Sequence, residues 1–196
     1  MTRILILGGT QEAARVATEL VAKGNDVTTS LAGRTKEPAQ IAGSVRTGGF
    51  GGADGLAQWL IANDVEQLID ATHPFAEQIS RNAVEAASLA DIPLEVKTRP
   101  PWIEQPGDDW RVTTSLEETA AAIPSQARVL LALGSQHLAP FQHRDDVHFV
   151  IRMIDAPLEP LPFKHRTLIL GRPSLDWQSE ADLLRGENIT HIVCRN

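Results

Sequence analysis

The sequence predicts an α/β protein of two domains, each with a mostly parallel sheet whose strands alternate with helices. Two observations carry this prediction. Short apolar runs alternate with segments of helical periodicity along almost the whole chain, which is the pattern of βαβ units. Prolines and a glycine cluster between residues 99 and 107, where the alternation pauses. We therefore expect one domain at residues 1–98 and a second at residues 99–196.

The first domain opens with an apolar strand at residues 3–7 that stops at a glycine turn. Apolar residues then recur at helical spacing over residues 13–21, and Gly24 is expected to cap that helix. The same spacing predicts helices around residues 56–60 and over residues 75–90. Further strands are predicted at residues 26–30, 44–47, 67–71 and 94–97.

The second domain begins with a capping box, in which Ser115 precedes Glu118 by three positions, and Pro124 is expected to end that helix. Apolar runs predict strands at residues 128–133, 147–154, 167–170 and 189–194, and a helix at residues 179–185. No helix follows the last strand, so we expect this domain to be incomplete at its C-terminal end.

Composition excludes several classes of function. A net charge of −7 without a basic run argues against a nucleic-acid partner. The apolar runs are far shorter than the roughly 20 residues of a membrane span, and the first strand leaves no room for a signal peptide. We therefore expect a cytoplasmic protein without a membrane partner. A single cysteine and six scattered histidines give no metal-site spacing.

The first glycine turn, Gly8-Gly9-Thr10 followed by Ala13, stands between a strand and a helix. Glycine there lets the backbone approach a pyrophosphate, and the helix N-terminus supplies free N–H groups. The motif is a degenerate dinucleotide fingerprint, because Ala13 replaces the third glycine. The alternative is a tight turn without a ligand.

The end of the second strand indicates which dinucleotide is bound. NAD-binding folds usually place an acidic residue there for the ribose 2′-hydroxyl, whereas this chain has Ser30, Gly33 and Arg34. A hydroxyl and a guanidinium suit a 2′-phosphate, so NADPH is favoured over NADH. The alternative for Arg34 is a solvated side chain in a glycine turn.

A second glycine-rich loop occupies residues 48–52, with Phe50 at its centre. Glycines at such density cost chain entropy, so a structural benefit is expected, such as close approach of the backbone to a ligand. We expect Gly49, Phe50, Gly51 and Gly52 to contact the cofactor. The alternative is a flexible surface loop, although a central phenylalanine is unusual in one.

The fourth strand ends at Thr72-His73-Pro74-Phe75, in the place where open α/β sheets bind ligands. Pro74 and the helical periodicity after it are expected to put His73 beside a helix N-terminus, which disfavours a charged imidazole. A neutral imidazole there can donate a hydrogen bond or transfer a proton. The alternative is a capping or core-facing histidine.

Residues of the second half offer anion-binding groups. Gly134, Ser135 and Gln136 repeat the strand–turn–helix pattern and are expected to hold an anionic ligand group. Arg152 within a strand and Arg172 after one are expected to bind carboxylates. The alternative for both arginines is an ordinary surface charge.

Taken together, these motifs resemble the precorrin-6A reductase family of cobalamin biosynthesis. The resemblance rests on ILILGGT at residues 4–10, SLAGRT at 30–35, GGFGG at 48–52 and DATHPFA at 70–76, and it extends through IRMIDAP at 151–157 to VCRN at 193–196. It implies two Rossmann-like domains with a ligand cleft between them. It also implies reduction of a double bond of the tetrapyrrole precorrin-6A by NADPH, giving precorrin-6B.

For this reaction we expect roles for individual residues from the chemistry that they can supply. The reacting carbon is expected between the nicotinamide and residues 72–75, with Thr72 and His73 as catalytic residues and Pro74 and Phe75 against the substrate. The proton is expected from His73 or from water. Contacts with neighbouring enzymes of the pathway are expected to be transient.

The chain departs from the family in two places. Family members usually continue past the position of Asn196 with a turn, a helix and a strand. They also often have an arginine where this chain has Ser135, which removes a positive charge near the expected substrate carboxylates.

Three alternatives to this function have different consequences. The first is the reductase of the anaerobic route, which takes the cobalt-containing macrocycle. The second is a non-catalytic NADP-binding module, which binds cofactor but oxidises none. The third is an enzyme of the short-chain dehydrogenase type, which is excluded because the chain has no tyrosine.

Overall fold

The computed structural model describes residues 1–33, 41–174 and 176–195. The chain divides into two compact units, Met1–Pro101 and Trp102–Asn196. Each unit contains a sheet in which every strand pairing is parallel, and helices connect most of the strands. The predicted α/β class with parallel sheets is therefore confirmed.

The first unit has the strand order of a dinucleotide-binding fold. Its strands are β1 (Arg3–Leu7), β2 (Asp26–Leu31), β3 (Ser44–Thr47), β4 (Gln67–Asp70) and β5 (Leu94–Val96), and its helices are α1 (Gln11–Ala22), α2 (Ala53–Ala62) and α3 (Glu77–Ala90). The strands lie in the order β3-β2-β1-β4-β5. Strands β2 and β3 are therefore added on one side of β1, and β4 and β5 on the other. Ligands of such sheets bind at this switch point between β1 and β4.

The central strands of the first unit are buried on both faces. On one face Ile4, Ile6 and Ile69 pack with apolar residues of α1. On the other face Leu5 and Leu68 pack with apolar residues of α2 and α3. This burial explains the unbroken apolar runs in the sequence, because a strand covered on both faces has no polar side.

The second unit repeats the arrangement on a smaller scale. Its elements are α4 (Leu116–Ala122), β6 (Arg128–Leu131), β7 (His148–Met153), β8 (Arg166–Leu170), α5 (Trp177–Gly186) and β9 (His191–Val193), with short 3-10 turns at Ser135–His137 and Ala139–Phe141. The strand order is β8-β7-β6-β9. Phe141, Phe149 and Phe163 meet edge to face at the centre of its core.

One half of the predicted capping box of α4 is present. The Ser115 hydroxyl accepts the Glu118 N–H at 3.0 Å, as the motif requires. The Glu118 carboxylate turns back to Thr114 rather than to Ser115, and accepts its N–H and its hydroxyl at 2.8 Å each. These hydrogen bonds lower the pKa of Glu118. The helix ends two residues before Pro124, as predicted.

Two predicted helix starts differ from the structure. Helix α3 begins at Glu77, after Phe75, because a turn closed by the Ala76 N–H and the His73 carbonyl at 2.8 Å comes first. The segment after β6 forms only a three-residue 3-10 turn at Ser135–His137. Pro140, which lacks an N–H, follows shortly after and prevents a longer helix. The expected helix N-terminus at residues 134–136 was therefore wrong.

Candidate functional site

The loops after β1 and β4 meet at the switch point of the first sheet. The Thr10 hydroxyl donates a hydrogen bond to the Ala71 carbonyl at 2.7 Å. The same oxygen accepts the Ala13 N–H at 3.0 Å and so caps α1. One side chain therefore fixes the start of α1 relative to the end of β4.

The first two glycines of the turn have different structural roles. A Cβ added to Gly8 would lie 2.7 Å from Cγ2 of Thr29, so only glycine allows this close packing of the turn on β2. Gly9 has φ +112°, and a Cβ added there would meet nothing within 4 Å. The outer side of the turn is therefore open, directly before the N-terminus of α1. This arrangement fits the pyrophosphate of a dinucleotide, because backbone N–H groups are accessible without a side chain in front of them.

Ala13, which replaces the third glycine of the fingerprint, is fully buried beneath the turn. Its methyl group lies 3.3 Å from the position that a Cβ on Gly8 would take. A methyl group therefore still fits between α1 and the turn, so the degenerate motif keeps the packing of the fingerprint.

The ends of β2 and β3 lie side by side. The Gly48 N–H donates to the Leu31 carbonyl at 2.9 Å. Gly33 has φ +74°, and a Cβ there would lie 2.8 Å from Cγ2 of Thr47, so this turn also needs glycine. The Ser30 hydroxyl is near the end of β2, where the sequence predicts a contact with the 2′-phosphate. Arg34 lies outside the described residues.

The second glycine-rich loop is packed against α2. A Cβ on Gly55 would overlap the Phe50 carbonyl oxygen at 1.8 Å, so this loop folds directly onto the first turn of the helix. The ring of Phe50 meets Trp59 edge to face at 5.7 Å. Added Cβ atoms at Gly49, Gly51 and Gly52 would meet nothing within 4 Å. The loop therefore has one packed side and one open glycine side, and its contact with a cofactor stays a prediction.

Arg46 on β3 belongs to this group, although the sequence analysis did not predict it. Its Nη1 donates to the Ser30 hydroxyl at 2.6 Å and to the Gly48 carbonyl at 3.0 Å, and its Nη2 donates to the Gly49 carbonyl at 3.2 Å. Its guanidinium carbon lies 3.8 Å from the centre of the Phe50 ring. The signal in the sequence was an arginine in a short strand directly before the glycine run.

The end of β4 carries a buried acid–hydroxyl pair. Asp70 is 1% exposed, and its Oδ1 accepts the Thr72 N–H at 3.0 Å and the Thr72 hydroxyl at 2.6 Å. The hydroxyl proton of Thr72 is therefore engaged by Asp70, which makes Thr72 a poor proton donor to a ligand. The pair instead holds the loop after β4 in one conformation.

His73 is exposed and lies in the turn before α3, whose N-terminal cap is Ala76. It therefore lies three residues before the cap of α3, and the expected effect of the helix N-terminus on its imidazole stays a prediction. The Nδ1 atom accepts the Phe75 N–H at 3.4 Å, so in the neutral ring the proton lies on Nε2. The two rings lie 4.9 Å apart and tilted by 40°.

The predicted residues of the second unit lie at the carboxyl ends of its strands. A cavity of about 190 Å³ there is lined by residues that include Leu130, Leu133, Arg152 and Pro173. Arg152 is 12% exposed and pairs with Glu180 at 2.7 Å. Burial acts to raise the pKa of Glu180, but hydrogen bonds from Arg152 and the Ser174 N–H outweigh it and lower that pKa. Arg152 is thus neither a surface charge nor an unpaired cation.

The other predicted residues of this unit are more accessible. Gly134, Ser135 and Gln136 form an exposed turn after β6, and Arg172 is exposed after β8. Within residues 1–33, 41–174 and 176–195, no group of three or more His, Cys, Asp or Glu side chains is arranged to hold a metal ion. In the same part of the chain, no helix is long and apolar enough to cross a bilayer.

The sequence model of the family described as precorrin-6x reductase CbiJ/CobK matches residues 3–196. The chain belongs to this family. A precorrin-6A reductase of Rhodobacter capsulatus is 43% identical over all of this chain and 78% of its own length. A solved structure of a CobK precorrin-6A reductase superposes with a TM-score of 0.91 at 42% identity, covering 98% of this chain and 77% of that one.

Reductases of the family that are named for the cobalt-containing substrate are more distant. A cobalt-precorrin-6A reductase of Priestia megaterium is 29% identical and covers 77% of this chain and 61% of its own length. The family resemblance seen in the sequence motifs is therefore confirmed. The sequence identity to the precorrin-6A reductase of Rhodobacter capsulatus is higher than that to the cobalt-precorrin-6A reductase of Priestia megaterium.

Proposed function

We propose that this protein is a precorrin-6A reductase that uses NADPH to reduce a double bond of the macrocycle, giving precorrin-6B. The observation that carries the proposal is the family match over residues 3–196. The open glycine turn at the switch point between β1 and β4 supports a nicotinamide dinucleotide as the reductant.

The cofactor would be held by the turn at Gly9 and Thr10, with its pyrophosphate against the N-terminus of α1. When bound, NADPH supplies the hydride, so the chain itself needs to bind and orient the reactants and to exclude water. Ser30 is proposed to face the 2′-phosphate, and Arg34 is proposed beside it from its sequence position. The open side of loop 48–52 is proposed to cover the cofactor.

His73 is the proposed proton donor to the carbon beside the one that accepts the hydride. It is exposed at the end of β4, and its Nδ1 accepts a backbone N–H, so Nε2 carries the proton in the neutral ring. Water is the alternative donor. Thr72 is better suited to a positioning role through Asp70 than to proton transfer.

The substrate carries many carboxylates, which need positive charges and N–H groups. Arg172 and the turn at residues 134–136 are proposed to meet some of them, because they are exposed. Arg152 is already paired with Glu180 and would have to exchange that partner in order to bind a carboxylate.

The first experiment is a comparison of cofactor and substrate pairs with the purified chain. Loss of the absorbance of reduced nicotinamide is followed with metal-free precorrin-6A and NADPH, beside NADH and beside cobalt-precorrin-6A. We expect turnover with the metal-free substrate and a strong preference for NADPH. Turnover with only the cobalt-containing macrocycle would assign the anaerobic reaction, and NADPH binding without oxidation would indicate a non-catalytic module.

A further inference from the structure

The Arg46 guanidinium is held in place by neutral groups. Its hydrogen bonds go to the Ser30 hydroxyl and to the carbonyls of Gly48 and Gly49, at 2.6 to 3.2 Å. Among the described residues, no carboxylate pairs with it. The carbonyl dipoles orient the guanidinium but do not neutralise its charge, so within the part of the chain that the structure describes the positive charge is available to an anion.

Part of the donor capacity of Arg46 is unused. Both Nη1 protons and one Nη2 proton are engaged, whereas the Nε–H and the second Nη2–H make no hydrogen bond with the described residues. Ser30 accepts from Arg46 and is 7% exposed, and no described residue accepts its own hydroxyl proton. An anion that reaches this place would therefore meet a charge and several donors together.

Aromatic packing makes the arginine rigid. The guanidinium carbon lies 3.8 Å from the centre of the Phe50 ring and 5.7 Å from that of Trp59. Burial lowers the pKa of Arg46, but an arginine remains protonated at neutral pH. Because the guanidinium is already oriented, an anion binds without the entropic cost of ordering a long side chain.

The position in the sheet identifies the anion. Arg46 is the register partner of Ser30 on the neighbouring parallel strand, so both side chains lie on the same face near the carboxyl ends of β2 and β3. The end of the second strand is where folds of this strand order contact the ribose 2′ position. We propose that Arg46, together with Ser30, binds the 2′-phosphate of the cofactor and determines the preference for NADPH over NADH. This inference rests on the proposed function.

The competing explanation is that Arg46 only clamps the glycine-rich loop. Loss of a clamp would weaken the binding of every adenosine nucleotide. Loss of a phosphate contact would weaken the binding of only those nucleotides that carry a 2′-phosphate. The affinity ratio for two ligands that differ in that group alone therefore separates the two roles.

The experiment measures binding of adenosine 2′,5′-bisphosphate and adenosine 5′-monophosphate to the full chain by titration calorimetry. We expect the wild type to bind the bisphosphate more tightly. In R46Q we expect the bisphosphate affinity to fall about 10- to 100-fold, the range for a lost charge-assisted hydrogen bond, and the monophosphate affinity to stay within about twofold. R81Q is the matched control, because Arg81 is exposed, carries the same charge and has its described partners, Glu77 and Gln78, on its own helix.

Four results would overturn the proposal. If R46Q loses affinity equally for both ligands, Arg46 only clamps the loop. If R46Q loses affinity for neither ligand, Arg46 is not part of the binding site. A wild type without preference for the bisphosphate would refute Arg46 and the NADPH assignment together, while leaving the family reaction testable with NADH. If R46Q does not fold, the same two affinities are measured for R46K, because its ammonium group keeps the charge but lacks the planar fork of the guanidinium. Its affinity ratio is expected to fall several-fold, and an unchanged ratio would refute the proposal.

Discussion

The hydroxyl of Thr10 joins α1 to the end of β4, and its removal tests whether this link organises the switch point. In T10V the side chain keeps its shape but loses the cap on the Ala13 N–H and the hydrogen bond to the Ala71 carbonyl. A lost N-terminal cap costs about 1 kcal/mol, and a buried carbonyl without its partner costs about as much again. Ala71 is fully buried, so water does not readily replace the donor. We expect T10V to lower the free energy of unfolding by about 2 kcal/mol.

Urea denaturation followed by circular dichroism measures this change. With a slope of about 2 kcal/mol per M urea, the midpoint is expected to fall by about 1 M. T10S is the matched control, because it restores the hydroxyl and should recover most of the midpoint. NADPH affinity, measured by fluorescence titration, is expected to fall in T10V and to recover in T10S. A T10V midpoint equal to that of the wild type would refute the link between the two loops.

Three further predictions address the glycine turn, the proton donor and acid stability. G8A should lower the free energy of unfolding by about 1–3 kcal/mol, because its Cβ would lie 2.7 Å from Thr29, and equal midpoints for G8A and wild type in urea would contradict the packing argument. G9A should lower both the free energy of unfolding and the NADPH affinity, because Gly9 has φ +112°, a conformation that is strained for any residue with a Cβ. H73A should reduce kcat about 100-fold or more without changing NADPH affinity, and full turnover in a steady-state assay would assign the proton to water. E180Q should destabilise the protein by about 1–2 kcal/mol at pH 7 because Arg152 loses its partner. The pKa of Glu180 is lowered from 4.5 in the folded chain, so this stabilisation is present above pH 4.5 and is lost as the pH falls through the folded pKa. Urea titrations at low pH measure this loss, and a difference in stability between E180Q and wild type that persists there would argue against the ion pair.

The sheet elements were the most predictable part of the fold. Strand β1 was predicted with its observed bounds, Arg3–Leu7, because a strand buried on both faces is a continuous apolar run that ends where a glycine turn begins. The order of the strands makes the loops after β1 and β4 adjacent, and this follows from the general topology of such folds. The glycine turn at residues 8–10 was therefore predictable as a feature of the switch point.

The side-chain pairings were not predictable to the same extent. Thr10 bonds to Ala71, Arg46 to Ser30 and Arg152 to Glu180, and each pair is separated by many residues in the chain. Such partners depend on strand order and register, which apolar periodicity does not specify. The start of α3 was placed too early for a local reason, because the turn at residues 73–76 contains an aromatic residue that continues the helical spacing.

If Arg46 binds the 2′-phosphate as proposed, the cofactor preference depends on the sheet rather than on a contiguous motif. Sequence motifs assign the 2′-phosphate to residues that follow the second strand, because those residues are contiguous in the chain. The neighbouring strand β3 brings Arg46 to the same face as Ser30 by parallel register, and the glycine run after it supplies the carbonyls that orient the guanidinium. The glycine-rich loop would then serve the cofactor in two ways, through its open backbone and through the arginine that it positions. A change in loop 48–52 that moves Phe50 should therefore alter cofactor preference, even though Phe50 carries no charge.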